Sequence, residues 1–258
     1  MISIIVSTYN QENLDQLQKS IATTIGTEYE IIPVVNNRQY SLAKAYNLGA
    51  KLAKYNYLCF VHEDVLFETL KWGEVLIKTM QAEKADLIGL MGTKVVPRFA
   101  LGWYQSFLKK YLRGHIIQGL NSWQNTNYTS FSKSTFEEVV AVDGVFLFTS
   151  RHTFNKSPFA ENKNIEFHAY DFSMSLQTAT KKFKILVSKV PLITHFSSGN
   201  IDKSWFTSNQ SVMKKYNKLL PVISSDVHID KFALLKLNTL SFINYLKYYL
   251  RFKVLDKK

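Results

Sequence analysis

The sequence has few residues that bend or cross-link a chain: one Cys, 10 Gly and 5 Pro among 258 residues. With Cys59 alone, a disulfide framework and a metal site built from several cysteines are excluded, and we expect a reducing, cytoplasmic location. No segment is repetitive, and no apolar run reaches the ~18 residues of a membrane-spanning helix. Segment 2–7 is too short for a signal peptide, so we expect a first strand there.

Several common motifs are also absent. The chain has no Gly-x-Gly-x-x-Gly, no Walker A sequence and no Gly-x-Ser-x-Gly elbow. These absences argue against a standard dinucleotide-binding fold, a P-loop NTPase and a serine hydrolase of the elbow type. No glycine-rich loop follows the first predicted strand, which argues against a nucleotidyltransferase that cradles a triphosphate.

Positive charge is abundant and unevenly placed. The formal net charge is +12, which favours anionic partners: phosphorylated substrates, an anionic membrane face or nucleic acid. Residues 230–258 hold seven Lys or Arg against two Asp, a net charge of +5, among many Leu, Phe and Tyr. This pattern suits an anionic membrane interface, and the alternative is a terminal helix that packs on the rest of the protein. The aromatic residues are not arranged as an evident surface on which the bases of a single-stranded nucleic acid could stack, so we expect no nucleic-acid partner.

Hydrophobic periodicity predicts alternating strands and helices in the first third of the chain. Such alternation is typical of an α/β fold with a mostly parallel central sheet flanked by helices. A strand broken at Asp143-Gly144, a helix containing Asp171 and a last strand are predicted farther on. The predicted strands are 2–7, 30–35, 57–61, 86–91, 139–149 and 184–192, and the predicted helices are 12–22, 42–54, 67–82 and 167–181.

The segment 97–133 shows no regular period and is rich in aromatic and amide side chains, Trp103 and Trp123 among them. Long irregular segments inside compact domains are usually functional or mobile. Aromatic and amide groups suit sugar rings, because they offer apolar faces and planar hydrogen-bonding groups. The alternative is that these aromatics only pack an irregular subdomain.

Ionisable residues directly follow the third predicted strand, as His62-Glu63-Asp64. In open α/β sheets the ligand lies beyond the carboxyl ends of the strands. A carboxylate there can hold a hard divalent cation, and the cation can hold phosphates. The alternative is a solvated turn in which Asp64 caps the next helix.

Seven segments in this order resemble the glycosyltransferases of the GT-A fold, family 2 type. Each segment alone is weakly specific, whereas their order and spacing over about residues 1–200 are more specific. The segments are 3–10, 34–37, 41–50, 60–65, 142–145, 170–176 and 194–197.

The resemblance implies where a nucleotide-sugar donor binds. The base is expected against the loop Thr8-Tyr9-Asn10 and the end of the second strand, where the family often has Asp and this chain has Asn36. An amide can still pair with uracil or thymine, so a UDP- or dTDP-type donor is expected. His62 takes the place of the first Asp of the family's Asp-x-Asp motif, and with Glu63 it is assigned to the donor side.

The resemblance also implies metal ligands and catalytic groups. Asp64 and His195 are expected to hold a divalent cation, Mn²⁺ or Mg²⁺, although a lone histidine such as His195 is more often a buried structural residue. Asp171 matches the family's catalytic base, with Tyr170 in place of the preceding acid; its alternative role is an interaction with the helix dipole. Three residues are assigned to the acceptor side, and Asp143-Gly144 alternatively forms a simple turn. The three are Asp143, Gly144 and Trp123.

The function implied is a metal-dependent inverting, hexosyltransferase-like enzyme of polysaccharide biosynthesis, acting on a glycan or lipid-linked hydroxyl. Residues 1–95 form the nucleotide-sugar half, 96–200 the acceptor half, and 201–258 a helical tail that could hold the enzyme at the cytoplasmic membrane face. Two alternatives are a non-catalytic sugar-binding module, suggested by His62 and Tyr170, and a basic membrane- or nucleic-acid-binding protein, suggested by charge alone.

Overall fold

Two β-sheets and the helices around them form the protein. The computed structural model describes residues 1–119, 125–131, 134–165, 167–197, 199 and 201–254. The strands are β1 (Ile2–Thr8), β2 (Tyr29–Val35), β3 (Tyr57–His62), β4 (Val65–Phe67), β5 (Leu87–Gly89), β6 (Met91–Thr93), β7 (Val95–Val96), β8 (Leu112–Gly119), β9 (Asn125–Ser130), β10 (Phe136–Val139), β11 (Ala141–Val142), β12 (Phe146–Ser150), β13 (Ile185–Ser188), β14 (Ile193–His195) and β15 (Val222–Ile223). The α-helices are α1 (Gln11–Thr24), α2 (Leu42–Leu52), α3 (Trp72–Glu83), α4 (Arg151–Lys156), α5 (Tyr170–Thr180), α6 (Lys203–Lys215) and α7 (Lys231–Tyr249).

The central sheet has seven strands in the order β10-β13-β5-β12-β3-β1-β2. Strand β1 is parallel to β2 and β3, and β5 is parallel to β13. Because β12 lies antiparallel between β3 and β5, the five strands β1, β2, β3, β5 and β13 all point in one direction. The predicted α/β fold, with a mostly parallel central sheet and flanking helices, is confirmed.

The central sheet is buried on both faces. Successive side chains of β1 point to opposite faces, so neighbouring residues of this strand pack in two different apolar clusters. Ile4 packs with Leu17 of α1 in one apolar cluster, and Ile5 packs with Tyr46 of α2 in another. Gly49 lets α2 approach closely, since a Cβ there would overlap the Ile5 side chain. Each large apolar side chain buried in this way contributes roughly 1.5–3 kcal/mol.

A second sheet, ordered β11-β6-β8-β14-β4 with β9 paired to β8, corrects the prediction of an irregular segment 97–133. Strands β8 and β9 form an antiparallel pair from Gly114↔Ser130 to Gly119↔Asn125. The sequence of β9 is polar and lacks the apolar alternation that predicts a half-buried strand, so this strand is recognised only from its pairing with β8.

The start of the third predicted helix is also corrected. Residues 65–67 form β4, which pairs with β14, and α3 begins only after Lys71, whose φ is 60°. Asp64 therefore precedes a strand, and the alternative in which it caps a helix is excluded. The last predicted strand, 184–192, ends at Ser188 as β13, and His195 lies instead on a separate strand, β14, that begins at Ile193. The broken strand 139–149 becomes β11 and β12 with β10 before them.

The C-terminal segment is helical, as predicted, and one side of it packs on the rest of the chain. Leu237 of α7 packs with Leu108 and Leu112, and Phe252, in the π-helical turn Leu250–Val254, packs with Phe206 of α6. Among the described residues, no helix has the length and apolar character needed to cross a membrane.

A buried ion network attaches this segment to the sheets. Lys94 and Glu137 have side-chain exposures of 4% and 8%, and Lys94 Nζ lies 2.9 Å from Glu137 Oε2. Asp226 also pairs with Lys94, and Arg113 Nε lies 2.8 Å from Glu137. The segments that carry Lys94, Glu137 and Asp226 are therefore held together by the buried ammonium group of Lys94.

Replacing Lys94 with Ala should lower the free energy of unfolding by about 3 kcal/mol, because it removes the more deeply buried of the two cations that pair with Glu137, and it leaves Asp226 without Lys94. Lys78→Ala is the matched control, since Lys78 forms an exposed pair with Glu74 on α3 and its replacement should change stability little. Urea denaturation of both variants measures the difference. Equal stability of the two variants would show that the buried network contributes nothing.

Candidate active site

The sheet topology gathers the predicted site residues at one edge. The parallel strands β1, β2 and β3 end at Thr8, Val35 and His62. The antiparallel strand β12 begins at the same edge, where the His62 N–H donates to the carbonyl of Val145 at 3.1 Å. Strand β14 then brings His195 opposite Val65, directly after Asp64.

His62, Asp64 and His195 form a cluster, called here the ligand cluster. Each offers one ligand atom, and these atoms lie within 4.8 Å of one another. Asp64 Oδ1 lies 3.5 Å from His195 Nε2 and 3.9 Å from His62 Nδ1. Within the part of the chain that the structure describes, His195 Nε2 is a buried nitrogen with no hydrogen-bond partner. A buried, unpaired imidazole nitrogen beside a carboxylate fits a divalent cation.

The protonation states in the ligand cluster suit metal binding. Burial opposes ionisation of Asp64, but contact with His195 and the nearby charge of His62 outweigh it and lower the pKa of this carboxyl. Burial, and then the proximity of His195, lower the pKa of His62. At neutral pH the cluster therefore contains a carboxylate and a neutral His62 imidazole, the forms that bind metals.

The buried Tyr170 hydroxyl connects the ligand cluster to α5. It donates to the carbonyl of Gly144 at 2.9 Å and lies 2.8 Å from His62 Nε2. Since its one proton is directed at Gly144, it accepts the Nε2 proton of His62. This fixes the tautomer in which His62 Nδ1 carries the free lone pair, and Nδ1 is the nitrogen that faces Asp64.

Gly144 is required by this contact, because a Cβ at Gly144 would overlap the Tyr170 hydroxyl. The structure thus gives Gly144 a packing role beneath Tyr170. Its predicted contact with an acceptor stays a prediction.

Asp171 follows Tyr170 in the first turn of α5, and its pKa is shifted well away from the ordinary value of a carboxyl group. Burial, and then the negative charge of Asp143, raise the pKa of Asp171 to about 7. A hydrogen bond from the Phe172 N–H to Oδ1, at 2.7 Å, offsets part of this effect. A carboxyl that changes protonation near neutral pH is suited to general base catalysis.

Asp143 forms the turn that the sequence offered as its alternative role, with Oδ1 accepting from the Val145 N–H at 2.8 Å. Its Oδ2 accepts from the Trp103 indole N–H at 3.0 Å. Tyr104, an exposed side chain, lies against Trp103 with ring centroids 5.7 Å apart. Trp103 was not assigned to the site from sequence. Trp123, which was assigned, lies outside the described residues.

Glu63 is buried and holds the predicted donor loop in place. Its Oε2 accepts from the Thr8 hydroxyl at 2.5 Å and from the backbone N–H groups of Tyr9 and Asn10, each at 3.1 Å. The Asn10 side chain in turn caps α1 by accepting from the N–H of Glu12 and Asn13. The Tyr9 ring remains exposed at this edge.

Asn36 is likewise buried and shapes its own turn. Its amide nitrogen donates to the Ser7 hydroxyl and to the carbonyl of Tyr40, and its amide oxygen accepts from the Tyr40 N–H at 3.0 Å. These bonds occupy most of the amide, so contact with a base stays a prediction.

Two features of this site were not assigned from the sequence. His62, assigned to the donor, lies with the two predicted metal ligands, and Trp103 lies on Asp143. A metal-motif signal at His62 was present in the sequence, as its two-residue spacing from Asp64. No sequence signal separates Trp103 from the other tryptophans.

Comparisons with known proteins identify the family and the fold of this chain. A family profile described as "Glycosyltransferase like family" matches residues 3–218. No curated protein matches the chain. The structure of TarS residues 1–349 from S. aureus, in complex with UDP, is similar with a TM-score of 0.55 and 14% identity, over 97% of this chain and 72% of that one.

Two further solved structures share the fold. TarS in complex with UDP-GlcNAc matches with a TM-score of 0.54 and 15% identity, over 97% of this chain and 73% of that one. GalNAc-T7 with UDP, GalNAc and Mn²⁺ matches with a TM-score of 0.54 and 12% identity, over 97% of this chain and 56% of that one. The family match covers most of the chain, and these neighbours confirm the GT-A fold. The chain belongs to the glycosyltransferase-like family that the profile describes.

Proposed function

We propose that this protein is a divalent-cation-dependent, inverting glycosyltransferase that moves a sugar from a nucleoside diphosphate to a hydroxyl group. The observation that carries the proposal is the ligand cluster, with its unpaired His195 Nε2, at the sheet edge that also holds Asp171. The pKa of Asp171, raised to about 7, supports a proton-accepting role there. Mn²⁺ is the first candidate cation because two imidazoles and one carboxylate suit it, with Mg²⁺ as the alternative.

The donor is proposed to be a UDP- or dTDP-type sugar. TarS binds UDP and UDP-GlcNAc, and GalNAc-T7 binds UDP with Mn²⁺, and both share the fold of this chain. The loop Thr8-Tyr9-Asn10, fixed by Glu63, presents the exposed Tyr9 ring and would take the base together with the turn at Asn36.

In the proposed reaction, Asp171 accepts the proton of the acceptor hydroxyl as the hydroxyl oxygen forms a bond to the anomeric carbon. The bond from that carbon to the diphosphate breaks at the same time, and the diphosphate leaves with the electron pair. A cation held by His62, Asp64 and His195 supplies positive charge for the diphosphate when bound. Attack on the face opposite the leaving group inverts the anomeric configuration.

The acceptor is proposed to be a glycan or lipid-linked hydroxyl of polysaccharide biosynthesis. Trp103 and Tyr104 support this proposal, because they place an apolar ring surface beside Asp143. The sequence-based alternative of a non-catalytic module rested on His62 and Tyr170. Their hydrogen bond gives both residues a role in an active site and weakens that alternative.

Asp64→Ala should abolish Mn²⁺-dependent UDP binding and leave the fold intact, because Asp64 is the one carboxylate of the ligand cluster. Calorimetric titration of UDP with and without Mn²⁺ measures this effect. Asp15→Ala, which removes an exposed carboxylate on α1, is the matched control and should bind as the unaltered protein does. Unchanged Mn²⁺-dependent affinity in Asp64→Ala would remove Asp64 from the site.

Tyr170→Phe should weaken Mn²⁺ binding about 10- to 100-fold, the usual effect of removing a group that orients a metal ligand. The physical reason is that His62 loses the oxygen that accepts its Nε2 proton. Tyr111→Phe is the control, since Tyr111 is also buried but packs with Leu108 and Leu112 in a separate apolar cluster. Equal Mn²⁺ affinity in the two variants would contradict the proposed orientation of His62.

Asp171→Asn should reduce turnover by about 10²–10⁴-fold, the usual contribution of a positioned base, with little change in UDP affinity. In the unaltered protein, kcat/KM should rise with pH up to about 7, because only the deprotonated carboxylate accepts a proton. The residual activity of Asp171→Asn should lack this rise. Near-normal turnover in the variant would assign the base role to another group, Asp143 first.

The same pKa makes a stability prediction that needs no substrate. The folded-state pKa of Asp171 is raised from 3.8 to about 7, so the folded protein holds the extra proton within that window. The free energy of unfolding should therefore fall, relative to Asp171→Asn, as pH rises from about 4 to about 7. Urea denaturation at several pH values measures this difference. A constant difference would show that Asp171 titrates normally.

A further inference from the structure

The outward side of α7 and its π-helical extension carries a continuous apolar stripe. Phe232 is 86% exposed, Leu235 65%, Ile243 57% and Leu250 51%. These residues, with Thr239, Leu246 and Val254, recur three or four positions apart, the spacing of one helix face. We call this surface the α7 face. Contiguous exposed apolar surface on a folded protein usually marks an interaction site.

The α7 face belongs to a helix whose opposite side packs on the rest of the protein. On the opposite side Leu237, Ser241 and Phe252 are buried. The Tyr245 hydroxyl accepts from Gln210 of α6 at 2.8 Å, and Asn238 accepts from the Arg98 N–H at 2.9 Å. Packing on one side thus fixes which side chains point outward.

The charged side chains within α7 and its extension are all positive, and Asp230, which caps the start of α7, is the acidic residue directly before them. Residues 231–254 contain five basic side chains and no Asp or Glu. A groove of about 600 Å³ between α6 and α7 adds Lys214 from α6 to Lys253 from the extension, together with polar groups of Gln210, Tyr245 and Tyr249. The five basic residues are Lys231, Lys236, Lys247, Arg251 and Lys253.

We propose that the α7 face lies on an anionic lipid bilayer, with its Leu, Ile and Phe side chains in the interface and the basic residues on lipid phosphates. An apolar helix face bordered by Lys and Arg is the arrangement that binds such a surface. The groove with Lys214 and Lys253 offers a recess for a phosphate headgroup. The segment lies along the bilayer surface, since no described helix is suited to crossing it.

Charge disfavours a second copy of this chain as the occupant. A two-fold contact between two α7 faces would bring the same basic residues together, and α7 supplies no acidic residue to balance them. Nucleic acid is disfavoured as well, because the stripe between the basic residues consists, apart from Thr239, of aliphatic and aromatic side chains without phosphate-binding groups.

The attachment is independent of the proposed sugar transfer, because it rests on α7 and α6 alone. Co-sedimentation with vesicles of phosphatidylcholine, with and without phosphatidylglycerol, tests it on the full chain. The protein should pellet with the anionic vesicles and only weakly with the neutral ones. Added salt should weaken the binding without abolishing it, since the apolar contribution is not screened.

Two variants separate the contributions. The first double variant, Ile243→Ser with Leu250→Ser, removes exposed apolar groups from the α7 face. The second, Lys247→Gln with Arg251→Gln, removes two positive charges and should weaken vesicle binding about fivefold for each charge removed. Lys51→Gln with Leu52→Ser, an exposed basic and apolar pair on α2, is the matched control and should bind as the unaltered protein does. Thermal unfolding and UDP binding check that all variants are folded.

Three outcomes would overturn the proposal. One is a protein that stays in the supernatant with both vesicle types. Another is a pair of α7 variants that pellet as the α2 control does. The third is a dimer, detected by light scattering without lipid, that dissociates when Ile243 and Leu250 are replaced, which would assign the α7 face to a second copy.

Discussion

The hydrogen bond between His62 Nε2 and the Tyr170 hydroxyl joins the two halves of the site. His62 ends β3, whereas Tyr170 begins α5, 108 residues farther along the chain. Because the hydroxyl also donates to the Gly144 carbonyl, one phenol sets the tautomer of a cluster histidine, fixes the turn before β12 and positions the next residue, Asp171. The GT-A resemblance marks His62 and Tyr170 as departures from the family pattern, and the structure shows that the two departures contact each other. A histidine in place of a carboxylate needs an acceptor for its second ring nitrogen, and the phenol supplies it.

Two carboxyl groups at the same sheet edge have pKa values shifted in opposite directions. Contact with His195 and the charge that His62 carries at low pH outweigh burial and lower the pKa of Asp64, whereas burial and the charge of Asp143 raise the pKa of Asp171 to about 7. Such a division separates a group that holds a cation from a group that accepts a proton. The fold maintains the division with buried polar anchors, of which Glu63 is the clearest, since one of its oxygens holds three consecutive residues of the donor loop.

Local patterns predicted the elements whose residues face the core, and so placed His62, Asp64 and His195 after strands and Asp171 in a helix. The role of Asp64 and His195 as partners came from the resemblance to a family. The sequence could not predict β9, whose polar residues show no apolar alternation, or the boundary between β4 and α3, which depends on pairing with β14. The contact of Trp103 with Asp143, 40 residues apart, was not predicted either, because a side-chain hydrogen bond between distant segments produces no periodic pattern in the sequence. Tail helicity was predictable, but which side of α7 packs inward depends on residues elsewhere in the fold.

The central claim is that the ligand cluster holds a cation that binds a nucleoside diphosphate within reach of Asp171. The most direct measurement is a crystal structure with UDP and Mn²⁺, with the metal located by anomalous diffraction. The account predicts one strong peak coordinated by His62 Nδ1, Asp64 and His195 Nε2 and by oxygens of the diphosphate. UDP bound at this edge without a metal peak in the cluster, or a peak coordinated by other residues, would contradict it.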